Sequence, residues 1–348
     1  MSGTHERLRR LLVHEFASGG GFAGRVVPAS LAREGRAMRD ALVADLAALG
    51  CYRIVTSIDR RFPMRRVPVG VEVVTLRRGR PSLAALLAAS DATWIIAPET
   101  AGCLERLVAQ AEAAGVEVFG PSAKAIHCAA DKLGLARRLG KHGVPHPATR
   151  RAQSLAECQK AARRLGLPVV VKPARGAGSE GVSLVTDSRR LPQAVAAARR
   201  AGGSGPLLVQ RYLPGAPASV SLLSTGRRAV VLSVNAQTLK RSSGFAYRGG
   251  TTPLTHPLAK QAAAMALATC RALPDLKGYI GVDLVLTETE AIVIEVNPRL
   301  TTAYLGVRAA FRVNVAGLAI AACAGRLPLM PRIGRRVRFF ASGRIRAA

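Results

Sequence analysis

Short apolar runs alternate with stretches of helical period through the first third of the chain. Residues 8–14 (LRRLLVH), 51–56 (CYRIVT), 71–76, 92–97 (ATWIIA) and 116–119 read as strands. Apolar residues at helical spacing over 28–49 (Leu31, Met38, Leu42, Leu46) predict a helix, and Gly50 supplies its stop. An alanine-rich helix lies between the third and fourth strands, and another follows Pro98-Glu99-Thr100. Strands alternating with helices imply a parallel sheet covered on both faces, with ligands received beyond the carboxyl ends of the strands. Glu15 to Gly21, Asp59 and Glu99 fall at such ends. The triple glycine there is equally well a tight strand-to-helix turn.

The pattern then changes. Ser122 is a candidate N-cap for one helix carrying Asp131 and Lys132 towards Gly140. A proline-rich bend (KHGVPHPAT, 141–149) follows, and Gly143 and Pro145 prevent His142 and His146 from sharing a regular helix face. Residues 168–173 read as a strand with Lys172 near its end, and 182–185 as a second strand. Gly176, Gly178 and Gly181 between them fit GxGxxG, but the dinucleotide fingerprint requires a helix after the loop. A glycine hairpin whose N–H groups could cover phosphates is the alternative, with Ser179 as an added donor. A helix over 191–201, a strand over 207–213 and a strand pair over 219–224 and 228–234 come next. Residues 235–252 are polar and glycine-rich and read as a loop, and 257–273 as a helix.

Two apolar strands then meet at an acidic turn, around 282–286 and 292–296. Glu295 and Asn297 are two apart and share a face. With a three-residue loop over 288–290, Thr287 pairs with Ala291 and Asp283 lies opposite Glu295; a one-residue slip sends Asp283 to the other face. In the first register two carboxylates and an amide oxygen converge beside Arg299, a set suited to Mg²⁺ held through nucleotide phosphates. A wet hairpin face with ordinary surface acids fits the same residues. A helix over 315–324 and a basic tail from Leu327 complete the chain.

Composition narrows the choices. With 348 residues, 49% of them apolar, the chain supports one to three folded domains. The aromatic share of 4% argues against base-stacking platforms for single strands. No run of eighteen apolar residues suggests a membrane span, and the apolar run at 11–13 is too short for a secretory signal. The six cysteines form no CxxC pair, as expected of reduced thiols in a cytoplasm. The net charge of +30 is arginine-rich, with only eight lysines among 51 basic residues. These arginines are scattered: a solvated basic surface, a polyanionic small substrate and nucleic acid all remain open. GxxxxGK[ST], HRD and DFG are absent, which excludes P-loop and protein-kinase chemistry.

Taken together, KP at 172–173, GAGSEG at 176–181, the VQRYLPG strand, GVDLVL at 281–286 and EVNPR at 295–299 fall in an order that resembles the ATP-grasp superfamily of carboxylate–amine ligases. The resemblance covers roughly 120–325. It implies an α/β fold, α+β in its ATP-grasp part: a parallel αβ domain over 1–120, a nucleotide-lid subdomain over 121–205 and a metal-bearing subdomain over 206–328, before a basic tail over 329–348. It further implies that Lys132 and Lys172 contact the ATP phosphates while Gly176, Gly178, Ser179 and Gly181 cover them. Gln210, Arg211, Tyr212 and Leu213 would hold adenine, and Asp283, Glu295 and Asn297 would ligate Mg²⁺, or Mn²⁺ in its place. Arg299, with Lys172, would serve the transferred phosphoryl group. Pro214-Gly215-Ala216-Pro217-Ala218 stands where many members carry an acidic ribose contact.

HEFASGGG near the start, SIDRR and NPRLTTAYLG resemble tyramine–glutamate ligases of methanofuran and methylofuran biosynthesis. That likeness implies glutamate and an amine such as tyramine as substrates, with Glu15, Gly20, Asp59 and Arg248 as candidate substrate contacts. A growing polyglutamate chain would give the basic surface a use, and a homodimer is an expected assembly. Other ATP-grasp amino-acid or peptide ligases, and a nucleic-acid-binding protein on this fold, are the competing readings; membrane partners are not expected.

Overall fold

The computed structural model describes residues 7–22, 24–76, 81–174, 181–241, 245–329 and 332–348. Its first part follows the alternating pattern. Strand β1 (Arg9–Glu15), helix α1 (Ala29–Ala47), β2 (Tyr52–Ile58), β3 (Glu72–Thr75), α2 (Leu83–Ala88), β4 (Ala92–Ile96), α3 (Cys103–Ala113) and β5 (Glu117–Val118) form a parallel sheet in the order β3-β2-β1-β4-β5. Strands β1 and β4 are buried on both faces, which is why they read as unbroken apolar runs. The strand order reverses between β1 and β4, so their carboxyl ends, carrying Glu15 and Glu99, flank the crevice of the sheet.

The single helix expected after Ser122 is two. Ser122 Oγ does cap α4 (Ala123–Ala130), accepting from Ala125 N, but Asp131 turns out of helical geometry at ψ 87° and α5 (Lys132–Lys141) starts afresh. The break places Lys132 on the first turn of α5.

Strand β6 (Thr149–Ala152) and helix α6 (Leu155–Leu165) had no counterpart in the sequence reading. With β7 (Val169–Pro173), β8 (Ser183–Val185), α7 (Leu191–Gly202) and β9 (Leu207–Arg211) they build a small antiparallel sheet in the order β6-β9-β7-β8. Val185 after the glycines lies on a strand paired with Val169, so the GxGxxG run joins two strands. This small unit has its own core, from Cys158, Val169, Val171 and Leu191 to Val209.

The third sheet holds β10 (Ala216–Thr225), β11 (Ala229–Arg241), β12 (Phe245–Thr252), β13 (Lys277–Leu286) and β14 (Ala291–Asn297), with α8 (Ala259–Ala272) before β13. Helices α9 (Ala303–Ala310) and α10 (Val315–Cys323) follow, then β15 (Val337–Phe340) and β16 (Ile345–Ala347). The sheet order is β14-β13-β10-β11-β12-β15-β16.

Two readings are corrected here. The segment 235–252 is not a loop: it carries the end of β11 and all of β12. A Cβ on Gly249 would sit 2.1 Å from Phe339 O, and one on Gly250 2.0 Å from Ala236 O, so these glycines let three backbones pack together. The basic tail is also partly sheet, because Val337 and Phe339 point inward between exposed arginines and pair β15 with β12. Helix α9 went unread, its short apolar face being hidden behind the NPR segment. Among the described residues no helix is long and apolar enough to cross a membrane.

The N-terminal sheet and the third sheet share one apolar core: Leu11, Val13, Leu42 and Leu46 pack with Tyr304, Val315 and Ala319. A polar knot tightens that seam. Asp45 on α1 accepts from the Tyr304 hydroxyl and from both Nε and Nη2 of Arg308, while its carbonyl accepts from Asn314 Nδ2. Asp45→Ala should therefore lower unfolding stability by about 2–4 kcal/mol, because it strands a buried hydroxyl and a partly buried guanidinium. Denaturant titration measures this; a loss below about 0.5 kcal/mol, typical of a surface pair, would show that the knot carries no weight.

Candidate active site

The β13–β14 hairpin reaches the expected pairing by an unexpected route. Thr287 N donates to Glu290 O and Leu286 pairs with Ala291, so the loop holds two residues, not three. That register continues to Leu284 opposite Val293 and would set Asp283 against Ile294. A bulge at Ile294 adds one residue to β14, and Asp283 then pairs with Glu295 and Gly281 with Asn297. Asp283, Glu295 and Asn297 consequently share one face.

Their charges are only partly answered. Asp283 accepts from Gln237 Nε2 at 2.8 Å and Asn297 Nδ2 at 3.0 Å, both neutral donors. Burial first, and the facing Glu295 second, raise its carboxyl well above the ordinary range. Glu295 goes the other way: burial alone would raise it, but Lys132 and then Lys172 more than offset that. Lys132 Nζ donates to Glu295 Oε2 at 2.7 Å, and this pairing outweighs burial to hold the lysine above its usual value.

Lys172, on β7, is buried and donates to Gln210 Oε1 at 2.9 Å; Gln210 Nε2 in turn donates to Thr149 Oγ1. Burial, then repulsion from Lys132, pushes Lys172 down to about 8. It is a cation held by a neutral amide, poised for an anion.

Arg299 follows Pro298 in a tight turn closed by Arg299 N donating to Asn297 O. Its guanidinium meets Glu99, with Nη2 donating to Oε2 at 3.0 Å and Nε 2.9 Å from Oε1. Glu99 stands just beyond β4, so the crevice of the parallel sheet and the carboxylate hairpin face each other across this ion pair.

The remaining candidates separate from this group. Glu15 is buried and closes its own loop, accepting from Ala17 N, Ser18 N and Ser18 Oγ. Asp59 is held by the Arg61 guanidinium and its backbone N–H. Gly20 takes φ +100° against Leu76, and Arg248 is exposed on β12. Gly176, Gly178 and Ser179 lie outside the described residues; Gly181 packs on α7, where a Cβ would be 2.6 Å from Ala201 Cβ. The N–H groups of Arg211 and Tyr212 are used by Ala148 O and Pro168 O. The sequence reading did not single out Gln237 or Thr149. Gln237 lay in the segment mistaken for a loop, and its position opposite Asp283 depends on the strand order of the third sheet.

The donor set suits a hard divalent cation. Asp283, Glu295 and the Asn297 carbonyl offer oxygens, and two facing, partly buried carboxylates gain from a positive charge between them. No group of three or more His, Cys, Asp or Glu able to hold a metal occurs among the described residues. The pair alone would leave Mg²⁺ or Mn²⁺ to complete its shell with phosphate or water oxygens, as nucleotide-bound Mg²⁺ does.

Comparison with known proteins adds the lineage. The family model described as the ATP-grasp domain matches residues 129–303, and that of the pre ATP-grasp 3 domain matches 52–126. The chain is 30% identical over 201 residues to the carbamoyl phosphate synthase large chain of Thermomicrobium roseum, covering 56% of this chain and 18% of that one. It thus spans under a fifth of that relative's length. The crystal structure of a protein from Archaeoglobus fulgidus assigned to the ATP-grasp superfamily superposes with a TM-score of 0.70 at 26% identity, covering 95% of this chain and 92% of the other. An L-amino acid ligase from Bacillus licheniformis shares the fold at 17% identity, with a TM-score of 0.71 and coverages of 96% and 80%. With the ATP-grasp domain matching half of its length and the preceding domain matching as well, the chain belongs to the ATP-grasp family.

Proposed function

We propose that the protein is an ADP-forming carbon–nitrogen ligase that activates a carboxylic acid as an acyl phosphate and joins it to an amine. The observation that carries this is the complementary pair of unanswered charges: Lys172, a buried cation on a neutral amide, and Asp283, a partly buried carboxylate on two neutral amides. A metal-bound triphosphate satisfies both. Lys172 and Lys132 hold its phosphates, and Asp283, Glu295 and Asn297 hold Mg²⁺, or Mn²⁺ in its place. When bound, the metal offsets charge on the phosphates. Leu213, next to the two committed N–H groups of β9's end, offers its own N–H to the adenine edge. Arg299, braced by Glu99, steadies the transferred phosphoryl group or the acid's carboxylate. The acid's oxygen attacks the γ-phosphorus and ADP departs; the amine then attacks the acyl carbon, and phosphate leaves as the C–N bond forms.

Glutamate, activated at its γ-carboxylate, and tyramine are the substrates we favour, with methanofuran or methylofuran biosynthesis as the setting; HEFASGGG and NPRLTTAYLG support this. Repeated glutamate addition would make use of the +30 charge. A second reading, a ligase joining other amino acids, is favoured by the shared fold with the L-amino acid ligase.

Mass spectrometry of products from ATP, glutamate and tyramine tests the reaction, with ADP release that needs both substrates as the expected result. ADP release with other acid–amine pairs only would retain the ligase and discard glutamate–tyramine. Glu295→Gln should cut kcat by about 10²-fold or more with an unchanged far-UV spectrum, since it removes the negative charge that faces the metal and pairs with Lys132. Wild-type ADP release in that variant would remove Glu295 from the site. Nucleotide binding should also take up a fraction of a proton above pH about 8, because Lys172 is partly neutral there and phosphate favours its charged form. Calorimetry at pH ~8.5 in buffers of different ionisation enthalpy measures this uptake. Lys172→Met should abolish it, and equal uptake in that variant would assign the proton elsewhere.

A further inference from the structure

The charged groups around the ion pair of Arg299 leave one carboxylate over. Lys132 answers Glu295, and Arg299 answers Glu99. Asp283 and Lys172 are the two groups that a metal-bound triphosphate satisfies. Glu34 remains. It stands in the second turn of α1, next to Gly35, whose Cα lies so close to Glu15 that a Cβ would meet that carboxylate at 2.3 Å. This places Glu34 at the carboxyl end of β1, in the crevice where the strand order reverses.

Glu34 is largely buried, and burial raises its carboxyl above the usual range. Its hydrogen-bond donor among the described residues is a hydroxyl: Thr302 Oγ1 donates to Oε2 at 3.3 Å. Arg299 and Arg33 act on it from a distance, but Arg299 is committed to Glu99 and Arg33 is exposed. No lysine or arginine among the described residues forms an ion pair with it.

A second group points to the same place. Tyr247, from β12, lies within electrostatic reach of both Asp283 and Glu34, and burial pushes its hydroxyl well above its ordinary range. Among the described residues that hydroxyl has no hydrogen-bond partner. Tyr247 packs on the cluster of Ala303, Leu305 and Phe339 together with Ala37, so it lies beside the residue that follows Thr302 and beside α1 one turn beyond Glu34. A carboxylate, a threonine hydroxyl and a tyrosine hydroxyl supply three acceptors, which is the number of N–H donors on a primary ammonium.

We propose that Glu34, Tyr247 and Thr302 form a subsite for the primary ammonium group of a substrate. The subsite deepens the ligase reading above and rests on it. Two substrates of that class carry such a group, the α-ammonium of an amino-acid donor and the ammonium of the acceptor amine. Glu34 fixes the class of substrate by charge: an acid or a nucleophile without a cation has no use for it.

Steady-state kinetics of Glu34→Gln test the subsite, with ATP, glutamate and tyramine varied in turn. The change is isosteric and leaves the metal-binding face and both lysines intact. KM should rise at least about tenfold for one cationic substrate while KM for ATP moves less than about twofold. A rise for glutamate places the donor's ammonium there, and a rise for tyramine places the acceptor's. Replacing the affected substrate by a counterpart without the ammonium charge, glutarate for glutamate or hydroxylamine for tyramine, should erase the difference between variant and wild type. Glu34→Asp, which keeps the charge, should recover part of the loss, and Tyr247→Phe should show a smaller rise for the same substrate. Unchanged KM for both cationic substrates, or equal rises for all three including ATP, would overturn the subsite. Failure of the wild type to release ADP with any acid would overturn the ligase reading and the subsite with it, a result distinct from an inert Glu34 in an active enzyme.

Discussion

Two carboxylates facing each other in a buried sheet are a liability that the surrounding structure has to answer. Asp283 and Glu295 are paired across β13 and β14, and burial raises the energy of both charged forms. Much of the architecture nearby can be understood as a response. Helix α5 begins at Lys132 because Asp131 breaks the preceding helix, and that break delivers an ammonium to Glu295. Strand β11 extends as far as it does with Gln237 along it, and that amide steadies Asp283 without neutralising it. One carboxylate is thus answered in full and the other only by neutral donors, so the site keeps a defined deficit of positive charge at one place.

The N-terminal sheet has a part in this beyond packing. Its apolar face is continuous with the third sheet through α1, α9 and α10, and Asp45 binds that seam with charged and neutral partners together. Because the seam is fixed, Glu99 beyond β4 can brace Arg299 from the opposite side. The four-stranded antiparallel unit differs: its core is separate, and it contributes Lys172 from a strand of that smallest sheet. With a rigid seam on one side and an independently packed small sheet on the other, Lys172 can shift while the pairing of the two carboxylates stays in place.

The parallel domain was legible because its central strands β1, β2 and β4 are largely buried and its first helix has a clear period and stop. The antiparallel part was harder. In 235–252 the glycines that suggested a loop are there because three backbones crowd together, a tertiary reason that local pattern cannot carry. In the last stretch arginine density hid the alternation of Val337 and Phe339. Of the site, the acidic face was legible from residue type and spacing only in one of two registers, and the two lysines came from the resemblance of the motif set. Glu99's grip on Arg299, Gln237's on Asp283 and Gln210's on Lys172 were not, since each joins residues far apart in sequence through strand order. Glu15 and Asp59 attracted notice as strand-end acids, but each is taken up by groups a few residues away.

The bulge at Ile294 ties two distant-looking features of the hairpin into one count. The turn at Glu288-Thr289 is one residue short of the length that would align Asp283 with Glu295 unaided, and the bulge returns that residue. From the two-residue turn, regular pairing without a bulge would set Asp283 against Ile294, whereas deleting Ile294 removes the bulge and still leaves Glu295 opposite Asp283, because the surplus residue is the one lost. One residue inserted into β14 between Ala291 and Val293, without that deletion, would slip the pairing and turn Asp283 and Glu295 away from a common face while leaving every residue of the site present, so a chain can hold the full set of motif letters and still be inert.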